Sequence, residues 1–589
     1  MRGVAVSPVR GRVGVVWRWV VGAGRVRRVN LVLGPALRHV GERSAVVWVQ
    51  TDRACTVRVL GCEAATFEVQ GHHFALVIVT GLAPDSTTEY RVALDGAPVW
   101  PAPGSPFPPS VIRTRGPGSA RRLRALFGSC RYPKTGEPAL DRKLGLDALD
   151  TYAARMAALP VREWPDVLVL LGDQVYADEL TPLARRRLLG RRSQRPEQSN
   201  RPAEEVVSFD EYERLYRTSW ADPEFRWLLS TVPTAMIFDD HDVRDDWNTS
   251  AAWRDEIAEQ PWWPERIRSG LASYWVYQHL GNLSPDELAT DEHYQGVLAT
   301  HGDCWPLLAA MAERADREEN GAKEPRFSFR WDLGRSRLIM IDSRNGRILD
   351  GGNRGMVGEP ELHWIAEQAE HRPGELDHLL FGSSLPWLLP YVISDLQTVN
   401  ELAARRKGWR GRLGERIRRA ADLEHWAAFG ESFQRLSELI GRLARSPDGP
   451  ATVTVLSGDV HHCYAARAML GGSKNAVHTP DTTVHQLVCS PVHNHVPAHI
   501  RPAFRLGWSR ALGRLSRIWA RTSGAPALPV RWRKVYGPLF GNTVATLDIS
   551  GRRAEVLFEQ PIGPASLDQK GRVPLSRGAP PLSRTPEQH

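Results

Sequence analysis

Between residues 31 and 115 apolar and polar positions alternate in short runs: SAVVWVQT (44–51), CTVRVLG (55–61), TFEVQG (66–71), FALVIVTG (74–81) and TEYRVAL (88–94). Gly, Pro and Asp separate the runs at near-regular spacing, as they do between half-buried strands joined by turns. The pattern predicts a small antiparallel β-sandwich. The following segment, PAPGSPFPPS (101–110), carries five prolines and predicts a semi-rigid, extended linker.

From about residue 120 the pattern changes. RRLRALFGSC (121–130), DVLVLLGD (166–173), PTAMIFDDHD (233–242), SRLIMIDSR (336–344), HLLFGSSLP (378–386), TVTVLSGDVHH (452–462) and QLVCSP (486–491) are short, nearly continuous apolar runs that end in turn residues. Such runs read as strands buried on both faces. Helical stretches lie between them at 143–159, 210–220, 262–315 and 360–370, with a long basic stretch at 393–445; NTVATLDISGRRAEVLFEQ (542–560) reads as a closing hairpin. Strands alternating with helices indicate an α/β, layered αββα architecture. The expected organisation is a disordered extension (1–30), the N-terminal β-sandwich domain (31–115), one large domain (120–562) and a disordered tail (563–589). RRSQRPEQSNRPAEE (191–205) reads as an exposed insertion.

Composition narrows the class. The 589 residues are 42% hydrophobic and 24% charged, which excludes a largely disordered chain, a collagen and a coiled coil. The net charge of +9 invites an anionic partner, but acidic residues are interspersed almost everywhere, so most of it reads as a basic surface with local Arg/Glu pairing. The denser AARRKGWRGRLGERIRR, within 401–420, is either an anion-facing helix or a solvated helix face. The six Cys, at 55, 62, 130, 304, 463 and 489, form no CxxC pair, which excludes a zinc ribbon and fits reduced thiols. No apolar run reaches the ~18 residues of a membrane span. The apolar stretch 13–24 is interrupted by Arg18 and lacks a small-residue cleavage site, so a cytoplasmic protein is expected.

The chemistry sits where strands end. Four ends carry ligand-type side chains: Cys130 in GSC, Asp173 and Tyr176 in GDQVY, Asp239 to Asp242 in DDHD, and Asp459, His461 and His462 in GDVHH. Ligand sites of open α/β sheets lie at the carboxyl ends of strands. Singly, each residue has a bland explanation: Asp as turn former or helix cap, Cys as a small hydrophobe, Tyr as packing. DDHDVRDD, however, places five Asp and one His within eight residues. That charge repels itself unless a cation or an Arg cluster neutralises it.

In that order, FGSCRY (127–132), LGDQVYAD (171–178), IFDDHDVRDDWN (237–248) and LSGDVHH (456–462) resemble the PhoD-like (alkaline phosphatase D) family of the calcineurin-like metallophosphoesterase superfamily. The resemblance spans roughly 120–560. It implies a four-layer αββα metallophosphoesterase sandwich behind a small N-terminal antiparallel β-sandwich domain. It also implies hydrolysis of phosphate mono- or diesters by a metal-activated hydroxide. The implied ligands are Cys130, Asp173 as the bridging carboxylate, Tyr176, Asp240, Asp459 and His461, with Asn248 as an additional candidate. His241 is implied as the catalytic acid or electrostatic stabiliser, and iron(III) and calcium as the cations, other divalent metals being alternatives. A thiolate and a phenolate favour a transition metal, and additional carboxylates a hard cation. His462 stays ambiguous, and Arg131 and Arg244 could hold phosphate oxygens or be surface ion pairs. Where many superfamily members carry a further His, this chain has Ser383 and Ser384.

The expected partner is a small phosphate ester or phosphodiester, with the oligomeric state left open. Two rivals stand beside this reading. One is an inactive metal-binding homologue acting as an interaction protein. The other is a nucleic-acid-directed phosphodiesterase using the Trp-rich stretches 261–270 and 272–279, for which core packing is the favoured alternative.

Overall fold

The computed structural model describes residues 28–116, 118–119, 121–194, 200–349, 354–371, 374–469, 481–496 and 501–577. Residues 1–27 and 578–589, most of the expected extension and part of the expected tail, lie outside them.

The N-terminal runs form two four-stranded antiparallel sheets. Leu31–Val40, Ala45–Thr51, His72–Val79 and Phe67–Val69 make one; Cys62–Ala65, Thr56–Val59, Val92–Leu94 and Ala97–Trp100 make the other. Alternation decides what faces the core: in TVRV, Val57 and Val59 are buried while Thr56 and Arg58 are exposed. The proline-rich segment after the sandwich is packed rather than free. Phe107 stacks on Trp227, and the Trp227 indole N–H donates to Pro108 O. Arg38 then keys the sandwich into the large domain. Fully buried, it donates to Thr234 O (3.0 Å), Tyr277 O (2.8 Å), Gln278 O (2.7 Å) and Asn282 Oδ1 (3.0 Å). Burial pulls its pKa down to about 9, so these carbonyls are what keep a cation in this place.

Two sheets build the large domain. The first orders Thr234–Ile237, Val167–Leu171 and Leu123–Gly128 in parallel, followed by antiparallel Val544–Ser550, Arg553–Gly563 and Ser566–Pro574. The second orders Phe329–Leu333, Ser336–Ile341, His378–Ser383, Thr452–Ser457, Thr483–Val488, Cys463–Met469 and Arg531–Leu539. Side-chain alternation divides the second sheet between two cores. Leu338, Met340, Leu380, Leu456 and Leu487 pack into the core shared with the first sheet. Ile339, Ile341, Phe381, Val453 and Val455 pack among the residues of the covering helices. The helices Glu359–Glu370 and Gly430–Arg445 lie over that outer face, and Ala148–Ala157 covers the first sheet. The result is the four-layer αββα sandwich behind a β-sandwich.

The expected tail begins too early. Ser566–Pro574 is the edge strand of the first sheet, paired with Arg553–Gly563, and its polar, aperiodic sequence suits an edge facing water on one side. The Trp-rich stretches are core: Trp262, Trp263 and Trp275 are buried, so they offer no exposed stacking platform.

Candidate metal centre

In each sheet the parallel strands end level. Gly128 pairs with Leu170 and Leu171 with Ile237 in the first; Ile341 pairs with Ser383 and Ser457 with Val488 in the second. The residues just beyond these ends meet. Two glycines permit the approach: a Cβ on Gly172 would collide with Asp239, and one on Gly458 with Ser129. The chain then turns sharply. Cys130 (φ 57°), Asp173 (φ 53°), Asn248 (φ 61°), Asp459 (φ 64°) and His461 (φ 49°) all adopt the left-handed conformation. Each such residue costs about 1–2 kcal/mol, and backbone strain of this kind concentrates at functional sites.

Three sets of donor atoms lie within 4.8 Å of one another: Cys130, Asp173 and His461; Asp173, Asp240 and His241; and Asp239, Asp240 and Asp459. Asp173 and Asp240 are each shared by two sets, which links the three. Asp173 Oδ1 is buried without a hydrogen-bond partner, as are Asp239 Oδ2 and Asn248 Oδ1. Tyr176 joins the first set, its hydroxyl 3.4 Å from Asp173 Oδ2.

Hydrogen-bond donors aim at the thiol and the phenol: Ser490 Oγ lies 3.1 Å from Cys130 Sγ, and Asn494 Nδ2 lies 3.0 Å from Tyr176 Oη. Burial, reinforced by Asp173, pushes both acids well above their ordinary values. The same burial, with Asp240 and Asp242 adding to it, pushes Asp173 well up. Burial also draws His461 down to about 4, leaving a neutral imidazole suited to ligation. Thiolate and phenolate in so dry a place call for a bound cation, which ionises such ligands outright. The donor set therefore fits a metal.

His241 donates through Nδ1 to Asp178 Oδ1 at 3.0 Å, leaving Nε2 for the cluster. Burial works against its protonation, but the charge and hydrogen bond of Asp178, with Asp173 and Asp240, hold its pKa well above the usual value. Asp242, by contrast, is a brace. It accepts from the backbone N–H of Asp173 (2.9 Å), Gln174 (3.2 Å) and Asp239 (2.9 Å), tying two strand ends together.

Several roles left open by the sequence resolve here. His462 points away from the centre: its Nδ1 donates to Val460 O, and its ring packs on Phe504 and Tyr464. Arg131 is buried among Asp147, Asp150 and Asp222, so it is not available for phosphate. Arg244 is engaged by Glu205. Asn248 donates to Arg344 O at 3.2 Å. Ser383 and Ser384 hydrogen-bond with Ser343, and neither is an imidazole substitute.

A histidine does reach the centre from elsewhere in the chain. His425 accepts from Gln397 through Nδ1 (3.0 Å) and donates through Nε2 to Asp459 Oδ2 at 2.9 Å. Sequence reasoning passed over Arg344 as well. It lies just past the Ser336–Ile341 strand, fully buried, and contacts Asp239, Asp240 (3.2 Å), Asp459 (3.4 Å) and Glu424 (2.7 Å). The signal was available, because SRLIMIDSR ends in a charged residue as the other site strands do.

A two-sheet αββα layer carrying an acidic, His- and Cys-containing cluster at converging carboxyl ends suits a metal-dependent phosphoesterase. The family model for PhoD-like phosphatase matches residues 150–501, and the chain belongs to that family. Cys130 precedes the matched span; the other candidate ligands lie within it. Residues 28–112 match a domain of unknown function (DUF7800). Among solved structures, one titled "Structure of PhoD" is similar at 12% identity and TM-score 0.55, over 93% of this chain and 89% of that one, which supports the fold. A purple acid phosphatase, PPD1, from yellow lupin seeds is similar at 11% identity, over 92% of this chain and 74% of that one, with a TM-score of 0.45, too loose to add to the case. No curated protein matches the chain in sequence.

Proposed function

We propose that the centre hydrolyses small phosphate mono- or diesters using iron(III) and a calcium ion. Cys130, Asp173, Tyr176 and His461 would hold the iron. Three of these are anionic when ligating and the fourth is neutral, which matches a trivalent ion in charge and a transition metal in softness. Asp240, Asp459 and Asn248 would hold calcium, with Asp173, which belongs to two of the donor sets, within reach of both sites; these are oxygen donors suited to a hard cation. When bound, the cations supply a nucleophile at neutral pH, by acidifying water, and neutralise charge on the phosphoryl oxygens.

The chain's own residues do the rest. Asp178 orients the His241 ring and sustains its proton, leaving Nε2–H to protonate the departing ester oxygen. Asp242 and Gly172 fix the spacing of the two first-sheet strand ends. Ser490 and Asn494 steady the sulfur and the phenolate oxygen, as outer-shell partners of metal ligands do. The observation that carries this reading is the set of three donor groups linked through Asp173 and Asp240. The described cysteines are all free thiols, which supports a reducing, cytoplasmic setting.

The test is elemental analysis of the purified protein, followed by assays on an aryl phosphomonoester and the matching diester. Iron and calcium bound together, with turnover on either ester, is the expected result. A fully active protein without iron would remove the iron assignment, and a metal-loaded protein inert on both esters would remove the substrate assignment.

A further inference from the structure

The basic stretch singled out in the sequence is a helix, Trp409–Ala420, and nothing in the hydrolytic site uses its outer surface. It packs beside the helix Tyr391–Ala404 through its glycines: Gly414 lies against Ala404, and Gly414 O accepts from Asn400 at 2.8 Å. A second helix, Arg510–Thr522, packs on the other half of Tyr391–Ala404 in the same manner, with Gly513 against Tyr391 and Ser516 bonded to Asp395 at 2.6 Å.

The two helices share one layout. At about 100° per residue, each divides its circumference into three stripes. Small residues and one arginine face inward: Gly411, Gly414 and Arg418 in the first helix, Gly513 and Ala520 in the second. Large apolar side chains stand outward: Trp409 (64% exposed), Leu413 and Ile417 in the first, Leu515 (62%), Ile518 (60%) and Trp519 in the second. Along one flank of each apolar stripe runs a row of arginines: 412, 416 and 419, and 510, 514, 517 and 521. A single exposed apolar side chain needs no explanation, but two repeated stripes do.

Charge identifies the occupant. Lys407, Arg410, Arg412, Arg416, Arg510 and Arg514 form no ion pair with any described residue. The Arg510–Thr522 helix contains no acidic residue. Elsewhere in this chain arginines are heavily paired, as at Arg131 and Arg344. In the two rows Arg419 pairs with Glu256 (2.6 Å) and Arg517 with Asp395 (3.8 Å), while Arg412, Arg416, Arg510 and Arg514 stay uncompensated. Aromatic and aliphatic side chains bordered by such arginines match a helix lying in the plane of a bilayer interface, apolar face in the acyl boundary and cations at the headgroups. An apolar protein partner would leave the row of guanidiniums unmatched.

We propose that these two helices seat the protein on an anionic lipid surface. Both helices are tied in sequence to segments at the metal centre. His425, which bonds Asp459, follows the end of the first helix by five residues, and Phe504, from the helix Arg501–Gly507 ahead of the second, packs on His462 with ring centres 4.6 Å apart. No described helix is long and apolar enough to cross a membrane.

The full chain is mixed with vesicles of phosphatidylcholine alone or with added phosphatidylglycerol, then sedimented. Binding is expected only with the anionic vesicles, weakening as salt screens the arginines. Leu515→Ser with Ile518→Ser should weaken binding by at least about tenfold, each buried aliphatic chain being worth that much or more. Arg510→Gln and Arg514→Gln should each cost about fivefold, the worth of one cation near an anionic surface. Leu298→Ser, at a leucine of comparable exposure elsewhere (53%), should bind as the unsubstituted chain does. Circular dichroism and melting temperature check that the variants fold. No sedimentation with anionic vesicles, or equal sedimentation of all variants, overturns the proposal. A dimer in light scattering that the double variant abolishes, without vesicle binding, assigns the surface to a second copy and overturns it too.

Discussion

The two halves of the metal centre solve the same electrostatic problem in opposite ways. Around Cys130, Asp173, Tyr176 and His461, among the described residues, no arginine or lysine side chain bonds to any ligand atom, and Asp173 Oδ1 has no partner. Around Asp239, Asp240, Asp459 and Glu424, Arg344 touches all four carboxylates and Arg347 pairs with Glu424 at 3.0 Å. There the guanidiniums, though burial also opposes Glu424's charge, hold it below the usual carboxylate range. Four carboxylates against two guanidiniums leave two negative charges, the charge of one divalent cation. The first half depends on a cation from outside for its balance, whereas the chain itself cancels half of the second half's charge. An acidic cluster is thus a strong metal site only to the extent that the fold leaves it unpaired.

Substituting the shared carboxylate breaks both halves together. Asp173→Ala should lose both metals by elemental analysis and essentially all hydrolysis. Full metal content with unchanged turnover would separate Asp173 from the centre altogether.

His241 sharpens the boundary between binding and chemistry. His241→Ala should keep both metals while turnover falls about 10²–10⁴-fold, the usual scale for a lost general acid. The loss should be larger for alkyl than for aryl esters, whose phenolate leaves without a proton. Metal loss in this variant would instead make His241 a ligand joining the two halves. Asp178→Asn removes the charge that raises the His241 pKa. Because the acid must be protonated, and its proton is lost as pH rises, the alkaline limb of the rate profile should move to lower pH.

Arg344 tests the second half alone. Arg344→Met leaves Asp239, fully buried, without its counter-ion. Breaking a buried pair from one side costs about 3–5 kcal/mol, read as a lower midpoint in urea. Iron content should be unaffected, since no ligand of the first half bonds Arg344. Iron lost together with stability would mean that the halves are one electrostatic unit.

The smallest effect is spectroscopic and confined to the first half. A thiolate or phenolate on iron(III) gives visible charge-transfer absorption, so Tyr176→Phe should shift or bleach the band with little change in stability. A colourless, iron-free, active protein would assign the first half to another metal.

Local sequence determined a good deal of this. Apolar runs such as VLVLL and TAMI read as buried strands, and Gly-Asp or Asp-Asp-His directly after them as their carboxyl ends, because a strand's length and its breakers are encoded within a few residues. That made Cys130, Asp173, Tyr176, Asp240, His241, Asp459 and His461 legible as one constellation, and the tertiary structure brings them together. Charge compensation was not legible. Arg344 and the Glu424–His425 pair come from segments far apart in the chain, and Arg131 was left open between phosphate binding and an ion pair because its acidic partners at 147, 150 and 222 are distant in sequence. Nor could alternation decide between His461 and His462, since left-handed turns at Asp459 and His461 suspend the strand rule just there. Which charges cancel depends on which strand ends converge, and Coulomb energy follows distance in space, not separation along the chain.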